Sequence, residues 1–334
     1  MSDVQPEAVE WLWRGRFALG KVHLLAGMPG VGKGMFSCDF TARITTGKDW
    51  PDGEPMQNAG HVVMLCGEDG LADTIRPRLD AHEADASKVN VMTAVVGKDL
   101  DGTRLSSVNL ANHMDLIDDH LGSHPEVRAM FIDPIDEYLA GTDTYRSSDV
   151  RSVLAPLSRI AEKRRVAVIL VTHFSKGGKG PALYKSLGSV AFVAQARIAW
   201  AFCRDNQDDD RVLFLPLKNN LHKQIPGLSF RIASGIVEWE DGEVTISADE
   251  AMAEPRGPKP DKLVEAVAWV KQALAQGCVA SDTLNADAEA VGIKFATLKR
   301  AKKEVGCVVV RSERHNGQWF VSLPSEVQGE VQEF

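Results

Sequence analysis

The 334-residue sequence contains no apolar run that approaches the ~20 residues needed to span a bilayer, so it does not indicate a membrane protein. Its first ten residues are acidic and polar, and they do not have the pattern of a secretion signal. The five cysteines are scattered without a CxxC pair, so neither a disulfide framework nor a zinc site is indicated. These absences predict a soluble protein of the reducing cytoplasm.

Positive charge is also in deficit. The chain has 38 Lys and Arg against 46 Asp and Glu, which gives a formal net charge of −8. A monomeric protein that wraps DNA is usually basic, so this balance argues against a large external surface for nucleic acid. It still allows a few basic loops that line a central pore.

Short runs rich in Val, Ile and Leu alternate with amphipathic stretches over residues 21–246. The first several runs are continuously apolar, which is typical of strands that are buried on both faces. We therefore predict an α/β fold with a mostly parallel central sheet flanked by helices. The predicted strands are residues 22–26, 61–66, 89–95, 129–132, 166–171, 198–202, 212–217 and 228–232.

The texture of the sequence changes near its C-terminal quarter and predicts four regions. Residues 1–247 form the predicted α/β core, and residues 248–261, rich in Pro, Gly, Ala and charge, are predicted to be a linker. Residues 262–324 show three helical patterns followed by a β-hairpin pattern, which is the order of a winged-helix domain. Residues 325–334 form an acidic tail.

A glycine-rich loop follows the first predicted strand and precedes a helical pattern. It reads Gly27-Met28-Pro29-Gly30-Val31-Gly32-Lys33-Gly34. The pattern GxxxxGK in this setting predicts a P-loop that binds ATP, with backbone N–H groups around the phosphates and Lys33 facing the β- and γ-phosphates. The next position is Gly34, where a Ser or Thr hydroxyl normally holds Mg²⁺. We expect Mg²⁺ to depend more on water, on the phosphates and on Asp133.

Other predicted strands also end in polar side chains. Asp133 ends an apolar strand, which is the Walker B arrangement for Mg²⁺. Glu68 follows strand 61–66 and is suited to orient or deprotonate the attacking water, although it could be a plain surface residue. His173 is suited to sense the γ-phosphate, and its alternative is a structural histidine. Asp136 is interpreted as a solvated loop residue.

A glycine-rich loop beyond His173 carries Lys176, Lys179 and Lys185. These lysines suit mobile contact with a nucleic-acid backbone, and a solvated loop is the alternative.

The C-terminal region differs in charge from the rest of the chain. Residues 259–324 contain ten basic and seven acidic residues, and five of the basic ones fall within residues 294–303. That segment is the predicted recognition helix, so Lys299, Arg300 and Lys303 are candidate DNA contacts. The alternative is a winged helix that docks to protein.

Residues 9–238 resemble the RepA-like hexameric replicative helicases of plasmids, in the wider group that includes DnaB and RecA. The resemblance includes the P-loop and several further segments: Trp11-Leu12-Trp13, Gly67-Glu68-Asp69, Ile132-Asp133-Pro134, Thr172-His173, Ala196-Arg197 and Leu217-Lys218-Asn219. It implies a RecA-like P-loop core, to which a C-terminal winged-helix-like module is appended.

The resemblance also implies roles for individual residues. It makes Glu68 the catalytic glutamate, Asp133 the aspartate associated with Mg²⁺, and His173 the sensor of the γ-phosphate. Arg197 matches the arginine finger that reaches the ATP of the neighbouring subunit. Two more residues match basic positions near the nucleotide or the subunit interface: Arg78 and Lys218.

The leading functional hypothesis is an ATP-dependent DNA helicase or translocase from a phage, plasmid or other mobile element. Its expected partners are single-stranded or forked DNA, further copies of itself in a hexameric ring, and a replication initiator or primase. One alternative is a RecA-like strand-binding or recombination-mediator ATPase. Another is a nucleotide-gated DNA-binding initiator or regulator, in which Gly34 has slowed hydrolysis.

Overall fold

The computed structural model describes residues 5–99, 102–144, 146–174, 190–253, 260–311 and 318–324. The chain divides into two compact units, Met1–Ala253 and Glu254–Phe334, and each is described by itself. Within the described ranges, no helix has both the length and the apolar character needed to cross a membrane.

A nine-stranded sheet forms the centre of the first unit. The strands of this unit are β1 (Trp11–Trp13), β2 (Phe17–Ala18), β3 (Val22–Gly27), β4 (His61–Cys66), β5 (Val89–Val91), β6 (Val95–Asp99), β7 (Gly102–Ser106), β8 (Val127–Asp133), β9 (Ala167–His173), β10 (Ile198–Arg204), β11 (Arg211–Asn219), β12 (Leu228–Ala233) and β13 (Ile236–Trp239). The order in the sheet is β13-β12-β11-β10-β3-β9-β8-β4-β5. From β10 to β5 all neighbours are parallel, whereas β11, β12 and β13 extend the sheet in antiparallel fashion. The predicted mostly parallel α/β sheet is confirmed.

Helices cover both faces of this sheet. They are α1 (Lys33–Thr46), α2 (Arg76–Ala81), α3 (Met114–Ser123), α4 (Ser147–Arg164), α5 (Val190–Gln195) and α6 (Ala248–Ala251). Leu24 and Leu25 in β3 are both fully buried, but Leu24 packs in the cluster with α3, α4 and α5 and Leu25 in the cluster with α1. Successive strand side chains point to opposite faces, so a strand covered on both sides must be continuously apolar.

Aromatic side chains fix α1 against the sheet. Phe36 and Phe40 on α1 are fully buried, and Phe40 packs 4.7 Å from Trp50, measured between ring centroids. Trp50 in turn stacks on Trp13 at 4.6 Å with nearly parallel rings. This packing holds α1, and with it the loop that precedes α1, in a defined position on the sheet.

One predicted strand is shorter than expected. The run 89–95 gives only the three residues of β5, because Val95 already belongs to β6, which pairs with β7 in a separate two-stranded sheet. An apolar run does not show which partner strand its residues select, so the break at this point was not visible in the sequence.

The predicted linker 248–261 starts too early and ends too late. Residues 248–251 form α6, because the Ser247 and Glu250 side chains each bond to the other's backbone N–H in a capping box. Ala248 and Ala251 are buried against the core, so α6 belongs to the first unit. The next helix begins at Pro260, two residues before the predicted start of the C-terminal domain.

The second unit contains three helices and a small sheet. Its elements are α7 (Pro260–Ala273), β14 (Val279–Ala280), α8 (Ser281–Ala290), α9 (Phe295–Val305), β15 (Val308–Arg311) and β16 (Trp319–Ser322). Strand β16 lies between β14 and β15 in antiparallel pairing. Val270, Leu284, Leu298 and Val321 are buried together and form its core. The winged-helix assignment itself stays a prediction, as does the acidic tail 325–334, which lies outside the described residues.

Candidate functional site

The carboxyl ends of the parallel strands meet at one edge of the main sheet. Gly27 at the end of β3 pairs with His173 of β9 on one side and with Phe202 of β10 on the other. Cys66 at the end of β4 pairs with Asp133 of β8. Since β9 lies between β3 and β8, the loops that follow all these strands open toward the same space.

The glycine-rich loop has a backbone that requires glycine. Gly30 and Gly32 have φ angles of 71° and 109°, in the left-handed region that disfavours other residues. A Cβ on Gly32 would also lie 2.8 Å from Cδ1 of Ile232, which is closer than real carbon atoms approach. Residues 28–30 form an exposed tip, and α1 begins directly at Lys33. The free N–H groups of this helix end suit a phosphate, as the P-loop prediction requires.

The ammonium group of Lys33 is buried and holds three acceptors. Its Nζ donates to the carbonyl oxygens of Gly27 at 2.9 Å and Met28 at 3.1 Å, and to Nδ1 of His173 at 3.0 Å. These contacts use all three ammonium protons, so Nδ1 of His173 must be unprotonated and Nε2 carries the ring proton of the neutral form. The two predicted site residues are therefore in direct contact.

Burial controls the electrostatics of this edge. It lowers the pKa of Lys33 to about 8, against the opposing effects of the negative charges on Asp133 and Glu68. Burial also raises the pKa of Asp133 to about 6, opposed by the positive charge of Lys33. Each group thus becomes easier to neutralise than it would be in water, and a bound charge of opposite sign would reverse that effect.

A small cavity of about 30 Å³ lies beside the P-loop, with room for about one water molecule. Its oxygen-bearing lining comprises Ser37, Glu68, Asp69 and Asp133, and Gly34 closes one side. Across the described ranges, no group of three or more His, Cys, Asp and Glu could hold a metal by itself. Mg²⁺ is usually held by one or two carboxylates together with water and substrate phosphates, so this oxygen set fits it.

Arg78 of α2 is also brought to this edge. Its Nη1 donates to Oδ2 of Asp69 at 2.7 Å, and it lies next to Gly34. The carbonyl of Arg78 contacts Nδ1 of His82 at 2.7 Å. The prediction that Arg78 lies near the nucleotide therefore has a geometric basis.

Arg197 lies at the opposite edge of the same sheet. It is exposed just before β10, and its backbone N–H donates to the carbonyl of Val22 at the start of β3. The length of β3 from Val22 to Gly27, about 17 Å, separates this edge from the P-loop. Arg197 is thus directed away from the P-loop of its own subunit, as the arginine-finger prediction requires.

Lys218 does not contact the P-loop in its own subunit. Its Nζ donates to three carbonyl groups at the end of α5: Val193 at 2.8 Å, Ala194 at 3.2 Å and Ala196 at 2.7 Å. A cation at this position stabilises the carboxyl end of a helix. Lys218 therefore supports the segment that leads to Arg197, and the prediction of a direct nucleotide contact within the subunit is wrong.

Two residues at the edge were missed or misinterpreted from the sequence. Arg204, two positions beyond Phe202, donates through Nη2 to the carbonyl of Gly30 at 3.2 Å. A charged residue at the end of a strand parallel to β3 was the signal that could have found it. Asp136 was interpreted as solvated, but its Oδ1 is buried and has no hydrogen-bond partner in the described part of the chain, and burial raises its pKa.

The candidate nucleic-acid residues fall into two sets. Lys299 and Arg300 are exposed on α9, and so is Lys303 one turn further on. The second set lies outside the described residues: Lys176, Lys179 and Lys185.

Comparison with known proteins gives one family and a related fold. The family model described as "AAA domain" matches residues 2–179, more than half of the chain. Among 627 matching chains of solved structures is the ATPase domain of a DnaB-like helicase, with 15% sequence identity over 66% of this chain and 85% of that chain, at a TM-score of 0.48. No curated protein matches the sequence.

The lowered pKa of Lys33 predicts a pH-dependent affinity for nucleotide. Phosphate binds the charged ammonium, and in the free protein this form is lost as the pH rises through about 8. The affinity for ATP should therefore fall by about tenfold between about pH 7 and pH 9, as measured by titration with a fluorescent ATP analogue.

Lys33→Arg is the matched control, because a guanidinium keeps its charge across this range. Its affinity, whatever its absolute value, should be nearly constant over the same interval. A wild-type affinity that is equally constant would contradict the placement of Lys33.

Proposed function

The chain belongs to the AAA domain family, and on this premise we propose that it is an ATP-hydrolysing motor that moves along DNA as a ring of identical subunits. The observation that carries the proposal is the contact of Lys33 with His173 at the P-loop edge, while Arg197 is exposed at the other edge. The sequence resemblance supports a place in the replication of a phage, plasmid or other mobile element.

ATP binding requires Lys33 to exchange its acceptors. The phosphate oxygens replace the carbonyls of Gly27 and Met28, and they are stronger acceptors because they are charged. The N-terminus of α1 adds its free N–H groups to the same phosphates. Mg²⁺, held near Asp133, would neutralise phosphate charge when bound.

Hydrolysis is assigned to Glu68. This carboxylate is exposed after β4 and also lines the cavity between the P-loop and Asp133. It is placed to accept a hydrogen bond from the attacking water and to take its proton. His173 carries its ring proton on Nε2 while Nδ1 accepts from Lys33, so it can donate to a phosphate oxygen without losing that contact.

The ring explains the location of Arg197. An arginine at the edge opposite the P-loop can stabilise transition-state charge only in a neighbouring molecule. A closed ring of identical subunits supplies every P-loop with such a neighbour. Lys218 fixes the end of α5 just before Arg197 and so positions the finger.

Gly34 favours a second candidate function. Without a hydroxyl for Mg²⁺, slow hydrolysis would leave the nucleotide bound for longer, which suits a nucleotide-gated DNA-binding regulator. The rate of hydrolysis in the presence of DNA, measured beside a strand-unwinding assay, separates this candidate from the motor.

Replacing Glu68 tests the catalytic assignment. Glu68→Gln should bind ATP with wild-type affinity but hydrolyse it about 100-fold more slowly, the usual scale for loss of an acid–base group. Glu137→Gln, which changes a neighbouring carboxylate to which the proposal gives no catalytic role, serves as the control and should keep most of the activity. Near-normal steady-state hydrolysis by Glu68→Gln would rule out the base role.

Mixing two inactive variants tests the ring. Lys33→Ala lacks a working P-loop and Arg197→Ala lacks the finger, so each alone should hydrolyse ATP poorly. At equal mixing about a quarter of the interfaces combine an intact P-loop with an intact finger, and the activity should recover to about that level. If both variants assemble with each other but no activity returns, Arg197 does not act across an interface.

The exposed basic face of α9 should bind DNA through phosphates. Changing Lys299, Arg300 and Lys303 together to Ala should weaken binding and make the dependence of log affinity on log salt shallower by about 2–3. Lys271→Ala on α7, also exposed, is the control and should change the slope little. An unchanged slope in the triple variant would favour a protein-docking role for the second unit.

A further inference from the structure

The space beside Gly34 is occupied by another side chain. A Cβ on Gly34, the atom that carries the hydroxyl of a Ser or Thr, would lie 3.3 Å from Nη1 of Arg78 and 3.9 Å from Oδ2 of Asp69. The first distance is shorter than an ordinary van der Waals contact. A side chain at position 34 and the present position of the Arg78 guanidinium therefore compete for the same volume.

Arg78 is held in this position by bonds at both ends. Its Nη1 donates to Asp69 at 2.7 Å, and its backbone carbonyl accepts a hydrogen bond from Nδ1 of His82 at 2.7 Å. Nε2 of His82 accepts the backbone N–H of Val237 in β13 at 3.1 Å, so the other end of the ring is fixed to the main sheet. About a third of the Arg78 side chain is exposed, which leaves the guanidinium accessible to a ligand.

The guanidinium also lies within the electrostatic range of the metal-binding region. Asp69 and Gly34 both line the cavity beside Asp133, and the positive charge of Arg78 acts on the Asp133 carboxylate. An arginine is permanently charged and can bind phosphate oxygens through two N–H groups at once.

We propose that Arg78 takes the place of the hydroxyl missing at Gly34 and supplies part of the positive charge that Mg²⁺ provides in P-loops with a Ser or Thr. Asp69 is the positioning residue that holds the guanidinium beside the P-loop until phosphate competes for it. The inference rests on the proposed ATP binding at Lys33. It predicts that nucleotide binding depends only weakly on Mg²⁺ in this protein.

The test is the affinity of a fluorescent ATP analogue measured in excess Mg²⁺ and again in EDTA. Wild-type affinity should fall by less than about threefold without Mg²⁺, because Arg78 remains to neutralise the phosphates. In Gly34→Ser/Arg78→Ala the arginine is replaced by a hydroxyl with room to hold the metal, and the fall should be at least about tenfold. Gly34→Ala/Arg78→Ala has the same space without a hydroxyl, so it should bind weakly in both conditions.

The single variants separate position from charge. Gly34→Ser alone should crowd Arg78 and weaken binding in EDTA, and Asp69→Asn should do the same by releasing the guanidinium. Circular dichroism verifies that each variant is folded. An equal loss on Mg²⁺ removal in the wild type and in Gly34→Ser/Arg78→Ala would overturn the inference, and so would a wild-type loss above about tenfold, which needs no variant. A wild-type protein that binds no nucleotide, like the Lys33→Ala baseline, would instead overturn the proposed function itself.

Discussion

The buried ammonium group of Lys33 is the interaction on which the rest of the site depends. A charge removed from water must be matched by close acceptors, and Lys33 finds them in Gly27, Met28 and His173. Two of these acceptors belong to the loop itself, and the third ends the neighbouring strand β9. The loop, the first strand and the third wall of the site are therefore held together by one charge, and the same charge is what a phosphate would claim. Phosphate binding and the internal order of the empty loop use the same three protons.

The order of the strands decides which groups can share one site. With β9 between β3 and β8, the charges of Lys33 and Asp133 lie two strands apart, about 10 Å, a separation that a phosphate chain and its metal can bridge. The start of β10 is at the far edge by the same rule of parallel strands. Arg197 and Lys33 therefore cannot serve the same nucleotide in one subunit, and the sheet makes cooperation between subunits a geometric requirement of the proposed motor.

The sequence predicted those features that depend on local pattern. Continuous apolar runs gave most of the parallel strands, and the P-loop, Asp133 and His173 followed because each stands where such a run ends. It could not predict the contact of Arg78 with the space at Gly34, since 44 positions separate the two and only tertiary packing brings them together. Arg204 was missed because the predicted strand stopped at residue 202. The linker was placed too early although Ser247 and Glu250 already had the spacing of a capping box, which the charged composition around them concealed.

The antiparallel extension of the sheet gives the P-loop a support that the parallel strands do not provide. Ile232 of β12 lies so close to Gly32 that no side chain fits there, and Val237 of β13 holds His82, which in turn fixes the backbone of Arg78. One edge hairpin thus contacts the loop directly and also anchors the residue that fills the space beside Gly34. A P-loop that has lost its hydroxyl can keep a defined geometry only if something else occupies and positions that side of the phosphate site. In this protein a tertiary contact, fixed by strands far away in the sequence, occupies the place that a local side chain has in other P-loops.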